Sequence, residues 1–346
     1  MSLTLQILPE SESVRVRLFL REIFKPSVEA MFLLPKHLNW KYWEPHPYWV
    51  GGRSYAYFDE LGNIASHAAV WPFVLLTKDK TLSGVHPIDW GASRRIRGSG
   101  AALLKEVRAL RDVCFCIGGT EIALAVVRQS GFKPVARMEM MVCPLRPMRQ
   151  LMTHQRRNWK LPARLVRNAM WVLGTASVSA GWTTEPVLPE QIPASVLPTP
   201  SIDLAVAARS SALFAYLAKC PIARHQFWLV RKGGELKGYF LLSFVTGQAR
   251  IADAWMVSPE TEGWRNLYAL ALQAARGDSS VAEIQTCATY GPAIEGAKAC
   301  GFHIYGHEEV MLYDLSGQVA HIPHLHLQMI ENDMSFLNEG MYAYIT

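Results

Sequence analysis

The residues best placed to do chemistry are Arg95-Ile96-Arg97-Gly98-Ser99-Gly100-Ala101, a basic glycine loop that breaks directly into an amphipathic helix. Leu103, Leu104, Val107 and Leu110 recur at helical spacing, with Lys105, Arg108 and Arg111 on the other faces. The first turn of such a helix leaves backbone N–H groups without partners, and the helix dipole draws negative charge toward them. With no Cβ at Gly98 and Gly100, bare main chain can approach an anion closely. Thr81 to Trp90, ahead of the loop, supplies a strand. Strand, glycine loop and helix together make a phosphate cradle. The spacing is neither a P-loop, since no Gly-Lys-Ser/Thr follows, nor Gly-x-Gly-x-x-Gly.

Arg-x-x-Gly-x-Gly before a helix resembles the pyrophosphate loop of the GCN5-related N-acetyltransferases (GNATs). The sequel keeps that family's order: a strand at Val113 to Ile117, a helix, then Ser130-Gly131-Phe132 opening another strand. Gly131 fits the left-handed position just past a helix end, with Phe132 packing back onto the sheet. The resemblance implies an α/β fold whose mixed, mostly antiparallel sheet is flanked by helices and splays one strand pair for acyl-CoA. It also implies acetyl-CoA, or another acyl-CoA, held by residues 95–101, with no metal. The reaction implied is acyl transfer to a small-molecule amine. Asp89, on the strand before the loop, is then the candidate base. Thr120 and Glu121, at the start of the next helix, are the candidates for the acid. Each has a plainer reading: Asp89 as a strand-end carboxylate paired with Arg94 or Arg95, Thr120 and Glu121 as helix caps. The sequence departs from the family at two points. Val127 stands where a tyrosine is frequent, and Gly118-Gly119 replaces a frequent Asn. A non-catalytic CoA-binding or scaffold protein, or an acyltransferase with a longer donor or a cell-envelope acceptor, therefore remain the alternatives.

The elements that must position these residues occur twice. Val113 to Leu145 lies over Val281–Ala282–Glu283 to Leu315 at a constant offset, which brings Gly131-Phe132 onto Gly301-Phe302 and Met141 onto Met311. Upstream, a hairpin at Tyr55–Asp59 and Ile64–Leu76 recurs at Phe227–Arg231 and Leu236–Val245, and Asp253 falls near the equivalent of Asp89. Carried further upstream, the same offset places Tyr268 and Leu270 over Gly98 and Gly100, so a second cradle is expected to be blocked. The expected division is a first domain at 1–150 carrying the cofactor loop and a basic connector helix at 151–182. A degenerate second domain follows at 183–315, then a tail at 316–346. Residues 38–49, rich in aromatics and proline, read as a loop that overhangs the acceptor site or lids a sheet edge. Pro87 argues for an edge or bulge in its strand. Pro186, Pro189, Pro193, Pro198 and Pro200 read as an extended linker.

Composition bounds the rest. With 346 residues, half of them apolar and 18% charged, the chain is long enough for two globular cores. A net charge of +6 suits an anionic cofactor and does not call for nucleic acid. The start lacks a signal peptide's basic and apolar regions, and no apolar run is long enough to span a bilayer. Six cysteines without a Cys-x-x-Cys pair point to the reducing cytoplasm. No acidic residue falls between Glu139 and Glu185, while Arg146, Arg149, Arg156, Arg157, Lys160, Arg164 and Arg167 do. Residues 146–167 read either as a basic amphipathic helix touching an anionic membrane or as an interdomain helix with a solvated basic face. Leu161, Leu165, Met170 and Leu173 supply its apolar side. His321, His324 and His326 could suggest zinc, but Pro323 disturbs their geometry and no Cys or acid stands at ligand spacing.

Overall fold

A computed structural model describes residues 4–26, 30–152, 159–319, 321–337 and 344–346. The chain forms two compact units, 1–136 with 200–207 and 309–323, and 137–199 with 208–308 and 324–346. It crosses between units more often than a linear division at 150 and 183 implies.

Unit 1 begins with β1 (Thr4–Ile7), α1 (Ser13–Phe24) and α2 (Pro35–Tyr42). A meander follows, β2 (Ser54–Phe58), β3 (Ile64–Leu76) and β4 (Thr81–Ala92), then α3 (Ser99–Arg108), β5 (Val113–Ile117) and α4 (Glu121–Gln129). The helical period read from the sequence holds in α3, where Leu103, Leu104 and Val107 are buried against Val70, Val85 and Cys114. Residues 35–42 are helical rather than loop. Pro35 sits at the first turn, where its missing N–H costs nothing, and the buried Arg53 guanidinium donates to the carbonyls of Trp40, Lys41 and Glu44 at the other end. Leu38, Trp40, Tyr42 and Trp49 are all buried, so this aromatic segment is core.

After α4 comes β6 (Lys133–Pro144), then α5 (Leu161–Leu173), β7 (Trp182–Val187), β8 (Leu204–Ala207) and α6 (Ser211–Ala218). Unit 2 then repeats the plan of unit 1: β9 (Arg224–Lys232), β10 (Glu235–Val245), β11 (Gln248–Met256), α7 (Thr261–Arg276), β12 (Glu283–Ala288), α8 (Gly291–Cys300) and β13 (His303–Asp314). A short β14 (His324–His326) lies in the tail. The constant offset holds from β5 to the end of β6. Both copies close their second helix the same way, with Gly131 and Gly301 left-handed and Phe132 and Phe302 buried behind them.

Each sheet is completed by a strand from the other copy's stretch of sequence. In unit 1 the order is β1-β2-β3-β4-β5-β13, with Val310–Asp314 antiparallel to β5. In unit 2 it is β7-β9-β10-β11-β12-β6, with Glu139–Pro144 antiparallel to β12. Pro186 belongs to β7 rather than to a linker. It is tolerated because β7 is an edge strand, paired only with β9. All six cysteines are buried and free. Among the described residues, no helix is long and apolar enough to cross a membrane.

Candidate functional site

In unit 1 the parallel pair β4 and β5 holds together only at Gly84–Val113 and Val85–Cys114, and beyond that the strands part. At the parting point the His86 ring replaces a ladder bond, with Nδ1 2.9 Å from the carbonyl oxygen of Phe115. On its other side β4 carries a bulge. His67 pairs with Gly91 and Ala69 with Ile88, so Asp89 and Trp90 stand opposite Ala68 alone. Asp89 takes φ +48°, left-handed for a residue with a Cβ.

That backbone is held from all sides. The Asp89 carboxylate lies 2.7 Å from Lys41 Nζ and accepts a hydrogen bond from the Tyr42 hydroxyl. Lys41 is fully buried and the Asp89 side chain is 8% exposed. The Asp89 carbonyl lies 3.1 Å from His67 Nδ1, and His67 Nε2 lies 2.9 Å from the Ser54 hydroxyl. A carbonyl only accepts, so the proton sits on Nδ1 and Ser54 donates to Nε2. Burial pushes His67 down to about 4, which keeps the ring neutral. Lys41, Tyr42 and His67 were not singled out in the sequence, because the segment holding the first two read as loop.

The glycine loop leads from the bulge into α3. Gly98 caps the helix at φ +81°. Among the described residues, no acceptor is hydrogen-bonded to the N–H groups of Arg97, Gly98, Gly100 or Ala101. The two glycines act differently. A Cβ on Gly98 would meet nothing within 4 Å, whereas one on Gly100 would come 2.9 Å from the Ala92 Cβ. Gly98 thus leaves open space, and Gly100 lets the helix start close to β4. Ser99 is buried and pins the loop through its hydroxyl to the carbonyl of Ile96 (2.9 Å), while Trp90 Nε1 donates to the Gly100 carbonyl (3.1 Å).

Above this turn lies a cleft of about 710 Å³. Its walls are the end of α1 (Glu22 to Lys25), the end of β4, the loop and the first turns of α4. Of the sequence candidates, Arg95, Gly98, Gly100, Ala101 and Thr120 line it. Ile96 and Ser99 are buried beneath it as anchors, and Arg97 is exposed. Thr120 caps α4, its hydroxyl accepting from Ala123 N–H at 3.2 Å, and Glu121 is exposed in that helix's first turn. Asp89 lies in the bulge, one residue before Trp90 at the cleft wall. Val127 is buried. The donor set and open space fit a diphosphate: unpaired N–H groups at a helix start, a missing Cβ, and Arg94 and Arg95 on the wall.

Unit 2 has the same frame without the opening. Its β11 bulges between Ile251 and Asp253, and Asp253 is gripped by buried Arg209 at 2.8 and 2.9 Å and by the Tyr239 hydroxyl. Strands β11 and β12 pair from Gln248–Glu283 to Ile251–Thr286 and then part. The tail enters the gap. Gln328 donates to the Ala254 carbonyl at 3.0 Å and bridges Ala288, while Thr289 N–H donates to the Leu327 carbonyl. His326 is buried among Trp255, Trp264 and Tyr290. His321 and His324 are exposed. The reason expected for a blocked second cradle is corrected. Helix α7 starts at Thr261, so Arg265, Tyr268 and Leu270 fall inside it, and Tyr268 and Leu270 are core side chains. Glu260 and Glu262 stand at its start instead, where carboxylates oppose a diphosphate.

A parallel pair that parts beside a bulged strand, found twice in one chain and once followed by a glycine turn, defines a tandem GNAT-fold protein. Solved structures agree. A GCN5-related N-acetyltransferase from Anabaena variabilis superposes with a TM-score of 0.60 at 11% identity, over 91% of this chain and 73% of that one. A tandem GNAT protein from the clavulanic acid biosynthesis pathway gives 0.56 at 14% identity, over 92% and 100%. Saccharomyces cerevisiae N-myristoyltransferase with bound myristoyl-CoA gives 0.59 at 11% identity, over 90% and 78%. No protein-family model matches the chain, and no curated protein matches its sequence.

Proposed function

We propose that the chain is an acyl-CoA-dependent N-acyltransferase that takes its donor in the unit 1 cleft. The observation that carries this reading is the first turn of α3 at Gly98, where N–H groups find no acceptor among the described residues, facing a cleft of about 710 Å³ with Arg94 and Arg95 on its wall. The N–H groups of residues 97, 98, 100 and 101 would hold the diphosphate, and the parted strands β4 and β5 the arm that leads inward. The bound acyl-CoA supplies a thioester carbonyl open to attack by an amine. The chain's own contribution is positioning and main-chain polarisation. The bulge takes the backbone around Asp89 and Trp90 out of the β3 ladder, so that its groups can turn toward a ligand. Asp89 serves this reading best as the residue that fixes the bulge, since Lys41 and Tyr42 already engage its carboxylate. The amine's proton then leaves through water, with the Thr120 hydroxyl beside the cleft. Acetyl is the default donor, a small amine the default acceptor, and the cytoplasm the default compartment.

The test is calorimetry with CoA, acetyl-CoA and longer acyl-CoAs, followed by thiol release across a panel of amines. Binding with acyl-dependent thiol release is expected. No CoA binding would sink the proposal. A buried Val127 in place of a tyrosine favours a second reading, a CoA-binding scaffold, and tight binding without turnover would select it.

A further inference from the structure

Helix α5 is built inside out. A surface helix turns its apolar stripe to the core and its polar face to water. In α5 the side toward the rest of unit 2 carries Asn168, which is buried, and Trp171, which stacks on His303 at 3.7 Å. Arg167 lies along the Trp171 ring at 4.3 Å. The outward face is Val166, Ala169, Met170 and Leu173, which share one side at helical spacing, with Trp159 just ahead. Trp159 is 85% exposed, Val166 62%, Met170 59% and Leu173 87%. The face differs from the stripe read in the sequence, since Leu161 and Leu165 are half-buried.

Charge narrows what covers it. From residue 140 to 184 the chain has no carboxylate. Lys160 is exposed just ahead of the helix, Arg167 borders the stripe while donating to Asn168, and Arg164 is half-buried on the side turned to the fold. Arg146 belongs to the fold instead, donating to the carbonyls of Arg276, Asp278 and Val281. Arg156 and Arg157 lie outside the described residues. An exposed apolar stripe with a tryptophan at one end, on a stretch of chain that carries cations and no carboxylate, matches a negatively charged bilayer surface, with the helix lying in the interface plane. At thirteen residues α5 is too short to span.

We infer that α5 is a peripheral docking helix for an anionic lipid surface. The inference is independent of the activity proposed for the cleft. It is tested by flotation of the full chain with phosphatidylcholine vesicles, with and without phosphatidylglycerol, at low and high salt. Wild type should float with the anionic vesicles, lose most of that binding in salt, and bind neutral vesicles at least tenfold less. The double variant V166E/L173E should lose at least tenfold in anionic-vesicle binding while keeping its melting temperature, because both side chains already face water. Three outcomes overturn the inference. Wild type fails to float at low salt, or floats as well on neutral vesicles. Or sedimentation finds a dimer that V166E/L173E splits, so that a second copy covers this face.

Discussion

Replacing Gly98 by Ala separates backbone strain from lost binding, because the chain carries a matched control. Gly98 has φ +81° and Gly62, in the β2–β3 turn, has φ +78°, and a Cβ on either would meet nothing within 4 Å. Holding an L-residue left-handed costs about 1–2 kcal/mol at each position. In a unit of this size, that lowers the melting temperature by roughly 2–8 °C. G98A and G62A should therefore melt alike. They should not bind alike. At residue 98 the new methyl stands at the cleft wall, over the N–H groups that would face the diphosphate. A hydrogen bond to a charged group contributes about 1.5–3 kcal/mol, so losing one weakens CoA roughly tenfold to a hundredfold. Calorimetric titration of CoA into wild type, G62A and G98A reads both effects. If G98A and G62A bind CoA within about twofold of each other, the cradle reasoning is refuted whatever their melting points.

Two further expectations follow from the buried charges. Lys41→Met leaves the Asp89 carboxylate buried without its cation, and should cost about 3–5 kcal/mol in denaturant unfolding. The K41M/D89L pair should recover part of that loss, and strict additivity would count against a coupled pair. Glu331, beside Arg209 and Asp253, is pushed up from 4.5 to about 7, chiefly by burial. Its folded pKa is raised, so its stabilising contribution is whole below pH 4.5 and fades as pH rises through about 7. At 1.36 kcal/mol per pH unit the loss is about 3 kcal/mol across that window. Stability measured against E331Q should swing toward the variant between these two pH values, and a flat difference would contradict the assignment.

The repeat, the glycine turn and the strand-and-helix order from residue 113 onward were legible because they are local. Periodicity, a left-handed glycine and a constant offset all lie within one stretch of chain. What escaped was non-local. Residues 35–42 fold as a helix because Arg53, eleven or more residues away, satisfies their carbonyls. The second helix start was misplaced because α7 runs sixteen residues against ten for α3 and the loop after it is longer, so an offset true downstream fails upstream. Nothing in the sequence could announce that β13 and β6 complete each other's sheets, or that the tail would reach the β11–β12 gap. Those are long-range choices made by burial.

The two bulge aspartates bear on what Asp89 does. Asp89 pairs with Lys41 and Tyr42, Asp253 with Arg209 and Tyr239, each a buried carboxylate held by one cation and one phenol. In unit 2 the gap beside the bulge holds Gln328 and Leu327, so no thioester can lie there, yet the carboxylate, cation and phenol remain. A group whose purpose was proton transfer would have no task in a filled slot. A group that fixes a bulged strand keeps its task whether the slot is open or filled, because the sheet must bend there in either case. The duplication thus favours the proposed role of the aspartate as part of the frame. What distinguishes the two units is the start of the following helix, glycine beside arginine in one and paired glutamates in the other, and that is where the difference in ligand binding should be sought.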